Sequence, residues 1–226
     1  MLWDVDYTLL FADGLGNRLY QAVFKDMFGR DLVAVANKAG RTDRAILVDT
    51  LALAGVAGPR DHVDDFLAAL ARHVTAVDGS ARADVRALPG AAAAIAALAA
   101  AGARQSVLTG NIRPLAALKL AAAGLGEHLD LDVGAYGDVH EARAELVPVA
   151  RQAAAAAYGT DFGGPSTVLV GDTPLDVAAA LATGARAVGV ATGSFSAADL
   201  VAAGAHAVLP DLTDTSLLLA AVTGRP

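Results

Sequence analysis

The stretch Thr183-Gly184-Ala185-Arg186-Ala187-Val188-Gly189-Val190 decides the fold. An Ala/Leu-rich run of helical character leads into it, stops at Gly184, and gives way within a few residues to a short β-branched run. A glycine there suits the left-handed position that ends a helix, where a side chain would be strained. The same unit occurs twice more: Ala101-Gly102-Ala103-Arg104 before Ser106-Val107-Leu108, and Ala203-Gly204-Ala205-His206 before Val208-Leu209. Helix, glycine, buried strand, repeated, is the rhythm of an α/β protein with a parallel sheet. Three further apolar runs, residues 2–6, 131–135 and 167–171, read as strands covered on both faces.

Residues 15–84 break that rhythm. Helical patterns cover 15–28, 42–54 and 62–77, with no convincing strand between them, and this region carries most of the charge and aromatic content of the first half of the chain. The economical reading is a helical module inserted after the first strand, giving a core of residues 1–14 and 85–226 and an insert of 15–84, with linkers near 11–14 and 80–88. Such an insert either covers the carboxyl edge of the sheet, where open α/β folds place their ligands, or simply packs on the sheet.

Composition narrows the function. With 226 residues the chain suits one large domain or a domain with a smaller insert. The formal net charge of −7 argues against nucleic acid and anionic membranes as partners, since both require clustered Lys and Arg. The absence of Cys removes disulfides, thiolate zinc sites, iron–sulfur clusters and a Cys nucleophile, and a reducing cytoplasm is the expected setting. The start, Met1-Leu2-Trp3-Asp4-Val5-Asp6, carries two carboxylates and no basic residue, unlike a secretory signal. The most apolar stretch, 90–102, is shorter than the roughly 20 residues of a bilayer span and reads as a buried helix.

Two acidic pairs carry the chemistry. In Leu2-Trp3-Asp4-Val5-Asp6-Tyr7-Thr8 an apolar strand ends in two carboxylates one residue apart, which strand geometry would aim at one site. A cation must neutralise them or one must hold a proton; the same pattern also suits a turn that begins with Asp. In Val168-Leu169-Val170-Gly171-Asp172-Thr173-Pro174-Leu175-Asp176 a second strand passes into a helix start, with Asp172 and Asp176 near the same edge or serving as helix caps. Paired Asp residues from two strands of one sheet make an all-oxygen site for a hard cation, Mg2+ by preference. Between them, Val107-Leu108-Thr109-Gly110-Asn111 ends a third strand in a hydroxyl, a glycine turn and a helix start, which suits a phosphate cradle. The cation to balance phosphoryl charge is Arg143 or Lys119. Arg143 is preferred, because Lys119 lies mid-helix, where a solvated face is expected.

These residues resemble the haloacid dehalogenase-like hydrolases, whose four motifs run in this order along a Rossmann-like sheet. The first motif, Asp-x-Asp-x-Thr, is similar to Asp4–Thr8; the second, a strand ending in Thr or Ser, to Thr109; the third, a Lys or Arg, to Arg143; the fourth to Gly171–Asp176. The resemblance implies that Asp4 is the nucleophile, Asp6 the acid/base, Thr109, Gly110, Asn111 and Arg143 the phosphate site, and Asp4, Asp6, Asp172 and Asp176 the Mg2+ site. It implies that the insert is an α-helical cap, as in phosphoglycolate phosphatase-like members, with Arg41, Thr42 and Asp43 as candidate substrate contacts. Tyr7 stands where this family often has Gly, and the third motif lacks a Lys-Pro signature.

The resemblance further implies a phosphatase acting on a small phosphorylated metabolite, because a second Asp accompanies phosphate-ester chemistry in this family, with a monomer or homodimer as the assembly. A phosphomutase would use the same residues, and a catalytically silent binding domain would retain the fold.

Overall fold

The computed structural model describes residues 1–77 and 84–224. Its centre is a parallel sheet of β1 (Leu2–Trp3), β4 (Ser106–Val107), β5 (Val168–Gly171), β6 (Arg186–Val190) and β7 (Ala207–Leu209), in the order β4-β1-β5-β6-β7. Two further strands, β2 (Leu10–Ala12) and β3 (Val85–Ala87), form a separate antiparallel ribbon. The sheet's alternation sorts its side chains into two layers. Leu2, Leu169 and Ala187 face one side, against Leu146 and Val147 of α6 (Leu146–Tyr158), Val177 and Ala180 of α7 (Pro174–Ala182) and Leu200 of α8 (Ala197–Ala202). Trp3, Val168, Val170, Val188 and Val190 face the other, against α4 (Ala91–Ala100), α5 (Arg113–Ala122) and α9 (Thr215–Thr223).

Each expected helix-to-strand glycine has the left-handed backbone the sequence requires, with φ of 81° at Gly102, 67° at Gly184 and 94° at Gly204. Two expected strands differ. The run 131–135 forms a 3-10 turn at Leu131–Val133, and only Ala135 reaches the sheet, in a parallel bridge to Leu108. Asp130 explains this, since its carboxylate accepts from the Asp132 N–H at 3.0 Å and bends the chain into a turn. The first strand is shorter than residues 2–6: after the Asp4 N–H donates to the Val170 carbonyl, the chain coils, with the Leu9 and Leu10 N–H groups both returning to the Val5 carbonyl.

Helices α1 (Leu15–Phe28), α2 (Asp43–Leu53) and α3 (Val63–Thr75) lie between β2 and β3 in the chain. The segments expected as linkers are more ordered than linkers: residues 10–12 pair with 85–87 as the ribbon, and Arg86 stacks over the Phe11 ring at 4.4 Å. Residues 80–83 of the expected second linker fall outside the described residues. Tyr20, Phe24, Leu47, Leu51, Phe66 and Leu70 of the insert are buried in the same continuous apolar cluster as Trp3, Val5 and Val107 of the sheet. Because that cluster is shared, Phe66→Ala should cost about 3–5 kcal/mol and lower the melting temperature in a single transition, at roughly 2–4 °C per kcal/mol. Calorimetry checks this, and two separated transitions would show that the insert melts on its own.

Candidate active site

The site lies where β1, β4 and β5 end. Asp4 follows β1 directly and is buried, and Asp172 follows β5. Thr173 then caps α7: its hydroxyl accepts from the Asp176 N–H at 3.2 Å, while the Asp176 carboxylate accepts from the Thr173 N–H at 3.1 Å and hydroxyl at 2.7 Å. This is a capping box with Pro174 in the first turn, so both readings of Asp176 hold together, cap and site. Glycine ends β5 because a side chain at Gly171 would run into the Asp176 carboxyl.

Asp4, Asp172 and Asp176 each bring an oxygen to within 4.8 Å of the others, all three residues being buried. Such crowding of carboxylates is unfavourable without a cation. Arg143, in a 3-10 turn before α6, supplies one: its Nη2 is 2.6 Å from Asp4 Oδ1 and 2.7 Å from Asp176 Oδ1, and donates to the Leu108 carbonyl at 3.1 Å. Burial, reinforced by Asp4 and Asp176, pushes Asp172 up to about 9. Burial likewise raises Asp4 to about 7, against the pull of Arg143. One guanidinium therefore does not balance three carboxylates. The donors are hard oxygens, the Arg143 guanidinium is the one partner of Asp176 Oδ1 among the described residues, and the donor set fits a hard cation.

Asp6, expected beside them as a metal ligand, is not among the three residues whose carboxylate oxygens cluster. Strict alternation assumed a continuing strand, and the chain has already left the sheet. The Asp6 carboxylate instead accepts from Lys119 Nζ at 2.8 Å on both oxygens and from the Asn111 amide at 2.6 Å. Burial alone would raise its pKa, but Lys119 and Asn111 outweigh that and hold it below the ordinary value. Lys119 is buried rather than solvated, and Asn111 Oδ1 accepts from its Nζ at 2.9 Å. Helical spacing carried this signal: Leu115, Ala116, Lys119 and Leu120 form the buried face of α5. Arg143 and Lys119 thus both serve the site, one at Asp4 and one at Asp6.

Thr109 is buried, and its hydroxyl accepts from the backbone and side-chain amides of Asn111 at 3.2 and 2.9 Å. Gly110 has a second reason to lack a side chain, because a Cβ there would meet the Arg41 carbonyl. The insert docks at that point, with the Asp43 N–H donating to the Gly110 carbonyl at 2.7 Å and the Arg44 N–H to Gly137 at 2.9 Å.

Three residues expected to touch substrate have other partners. Arg41 donates to Asp49 at 2.7 Å and to the carbonyls of Ala45 and Asn37. Thr42 caps α2 and donates to the Glu141 carbonyl at 3.0 Å. Asp43 accepts from the Tyr20 hydroxyl at 2.7 Å and from the Ile112 N–H at 2.9 Å. Ile112 begins α5 without a side-chain cap of its own, so the insert caps a helix of the core.

Between the insert and the sheet edge lies a cavity of about 360 Å³, lined by the catalytic candidates Asp4, Asp6, Thr109, Asn111, Arg143 and Asp172. Sequence reading missed Asn17, Tyr20 and Lys38 from the insert, and Ser194 and Phe195 after β6, which also line it. Tyr7 lies at the mouth with φ of 60°, the left-handed region a glycine would occupy freely, and its carbonyl accepts from Thr192.

A family model for haloacid dehalogenase-like hydrolases matches residues 1–181. The chain belongs to that family. Among solved structures, this haloacid dehalogenase-like hydrolase is similar to a family hydrolase from Deinococcus radiodurans with bound phosphate and sodium, at 27% identity and a TM-score of 0.56, covering 99% of this chain and 94% of that one. It also resembles a predicted phosphatase from Clostridium acetobutylicum (16% identity, TM-score 0.69, 96% of each chain) and a putative β-phosphoglucomutase from Bacteroides vulgatus (16%, 0.64, 99% of this chain and 88% of that one). No curated protein matches in sequence.

The carboxylate cluster makes a prediction apart from catalysis. A divalent cation bound to the native state alone, titrated as Mg2+, should stabilise it by about 2.7 kcal/mol at a hundred times its Kd. Asp172→Asn should remove most of that rise in melting temperature. It should change the metal-free protein little, since a carboxyl with pKa about 9 is mostly protonated at neutral pH and resembles the amide. Thermal scans with and without Mg2+ measure both.

Proposed function

We propose that this hydrolase is a Mg2+-dependent phosphatase that cleaves a small phosphate monoester through an aspartyl-phosphate on Asp4. The observation that carries the reading is the buried Asp4 beside Arg143 and the Asp172/Asp176 cluster, on a cavity with room for a small ester. The phosphate bound in the D. radiodurans relative supports it.

An oxygen of Asp4 forms the bond to phosphorus as the bond from phosphorus to the leaving oxygen breaks. Arg143 Nε is buried and has no hydrogen-bond partner among the described residues, so it is a donor ready for a phosphoryl oxygen. Asp6 gives the leaving oxygen its proton, then takes one from the water that attacks phosphorus and frees Asp4. Held ionised by Lys119 and Asn111, Asp6 stands in this geometry as the base of the second half. Its role as acid requires the Lys119 contact to be exchanged for a protonated, substrate-facing position. When bound, Mg2+ would be held by Asp4, Asp172 and Asp176 and supplies positive charge against the phosphoryl oxygens. The helical insert acts as a cap over this chemistry.

The test is phosphate release from p-nitrophenyl phosphate and a panel of small esters, with Mg2+ and with EDTA. Release is expected to require the metal, and activity unaffected by EDTA would remove the metal from the reaction. Asp4→Asn is expected to lower turnover by roughly a thousandfold or more with the fold retained, as judged by circular dichroism. Phosphoryl transfer to a second alcohol without phosphate release would establish a mutase instead.

A further inference from the structure

Four cationic side chains line the cavity under the insert: Lys38, Arg41, Lys119 and Arg143. Three of them have carboxylate partners. Arg143 pairs with Asp4 and Asp176, Lys119 with Asp6, and Arg41 with Asp49. Lys38 makes no ion pair among the described residues. Its ammonium donates to the neutral Asn17 side chain and lies 5.0 Å from the centre of the Tyr20 ring.

That position is on the insert, in the loop before α2, while the groups that would hold the transferring phosphoryl lie on the sheet. Lys38 and Asp6 line the same cavity, Lys38 from the insert and Asp6 from the core. Burial pulls the ammonium below the usual lysine value, with Lys119 adding to the fall and Asp43 and Asp6 opposing it. A partly desolvated cation without an anionic partner is an unfavourable arrangement in the free protein, and an arriving anion relieves it.

The geometry points to Lys38, oriented by Asn17, as the residue that selects the leaving group, by pairing with a second anionic group on it, a carboxylate or a second phosphate. The preferred substrates are then phosphate monoesters that carry another negative charge a few bonds from the ester. This rests on the phosphatase reading above and sharpens it. Arg41, a candidate substrate contact by the family resemblance, is already committed to Asp49 and to two carbonyls of its own segment.

The experiment compares matched esters in the full-length enzyme with Mg2+. Glycerol phosphate is set against phosphoglycerate for the carboxylate, and fructose monophosphate against fructose bisphosphate for the second phosphate. Wild type should prefer the more anionic member of at least one pair by about tenfold in kcat/KM, the scale of one charge-assisted hydrogen bond, and which pair responds identifies the anion. Lys38→Gln should erase that preference, chiefly through KM, and Lys38→Arg should restore part of it. Asn17→Ala should weaken the preference in the same direction. Equal losses on both members of each pair in Lys38→Gln, or a wild-type preference for neutral leaving groups, would overturn the assignment while leaving the phosphatase intact. Failure of every ester to release phosphate would overturn the phosphatase reading on which the assignment stands.

Discussion

Negative charge gathered in a dry place is the constraint on which this molecule depends. The ends of β1 and β5 bring Asp4, Asp172 and Asp176 together, and nothing in the apolar layers around them can screen the repulsion. Arg143 answers part of it. It reaches across from the turn before α6 to Asp4 and Asp176 and touches the Leu108 carbonyl just past β4, so the ends of two strands and the first turn of α7 meet on one guanidinium. A buried pair of this kind contributes little net stability once desolvation is counted, but removing one partner strands the other. Its value here lies in fixing where Asp4 points and in leaving carboxylate charge for a cation to satisfy.

How much of this the sequence revealed depends on whether a residue's role was set by its neighbours in the chain. The helix–glycine–strand units were legible because a left-handed glycine and a β-branched run are local signals, and the structure places Gly102, Gly184 and Gly204 as those signals required. The positions of Asp4, Thr109 and Asp172 were legible because each follows a strand that can be recognised, and that of Asp176 because Thr173-Pro174 marks the helix start beside it. Lys119 was misjudged for the opposite reason: its partner Asp6 lies far away in sequence, and a mid-helix lysine is usually solvated. Asp4 and Asp6 face one cavity as expected, but they take different partners there because the strand ends at Trp3 and strict alternation ends with it. Lys38 left no local mark at all, since its significance lies in the absence of a carboxylate that only three-dimensional packing reveals.

The insert is attached to the core by more than apolar contact. Its backbone bonds to Gly110 and Gly137, and the cap that Asp43 supplies to α5, all fall beside the second motif. The glycine between Thr109 and Asn111 therefore serves two ends. It leaves the loop open to the cavity and lets the segment around Arg41 lie against it. Arg41 and Asp43 line the cavity, but the Arg41 guanidinium is bonded within the insert, while Thr42 and Asp43 bond across to the core. Recognition then falls to side chains left uncommitted.

The short strand β1 lies in the middle of the sheet, with Leu2 paired to Ser106 on one side and to Leu169 on the other. Its register therefore depends on segments that are synthesised much later. Contacts this distant in sequence carry a large loop-closure entropy and form late in folding. A nascent chain can build the insert's helices before β1 has either partner, gains one edge for β1 when β4 is made, and gains the other only with β5. Asp4, two residues beyond Leu2, donates its N–H to the Val170 carbonyl, so its place is complete only after β5 has emerged from the ribosome.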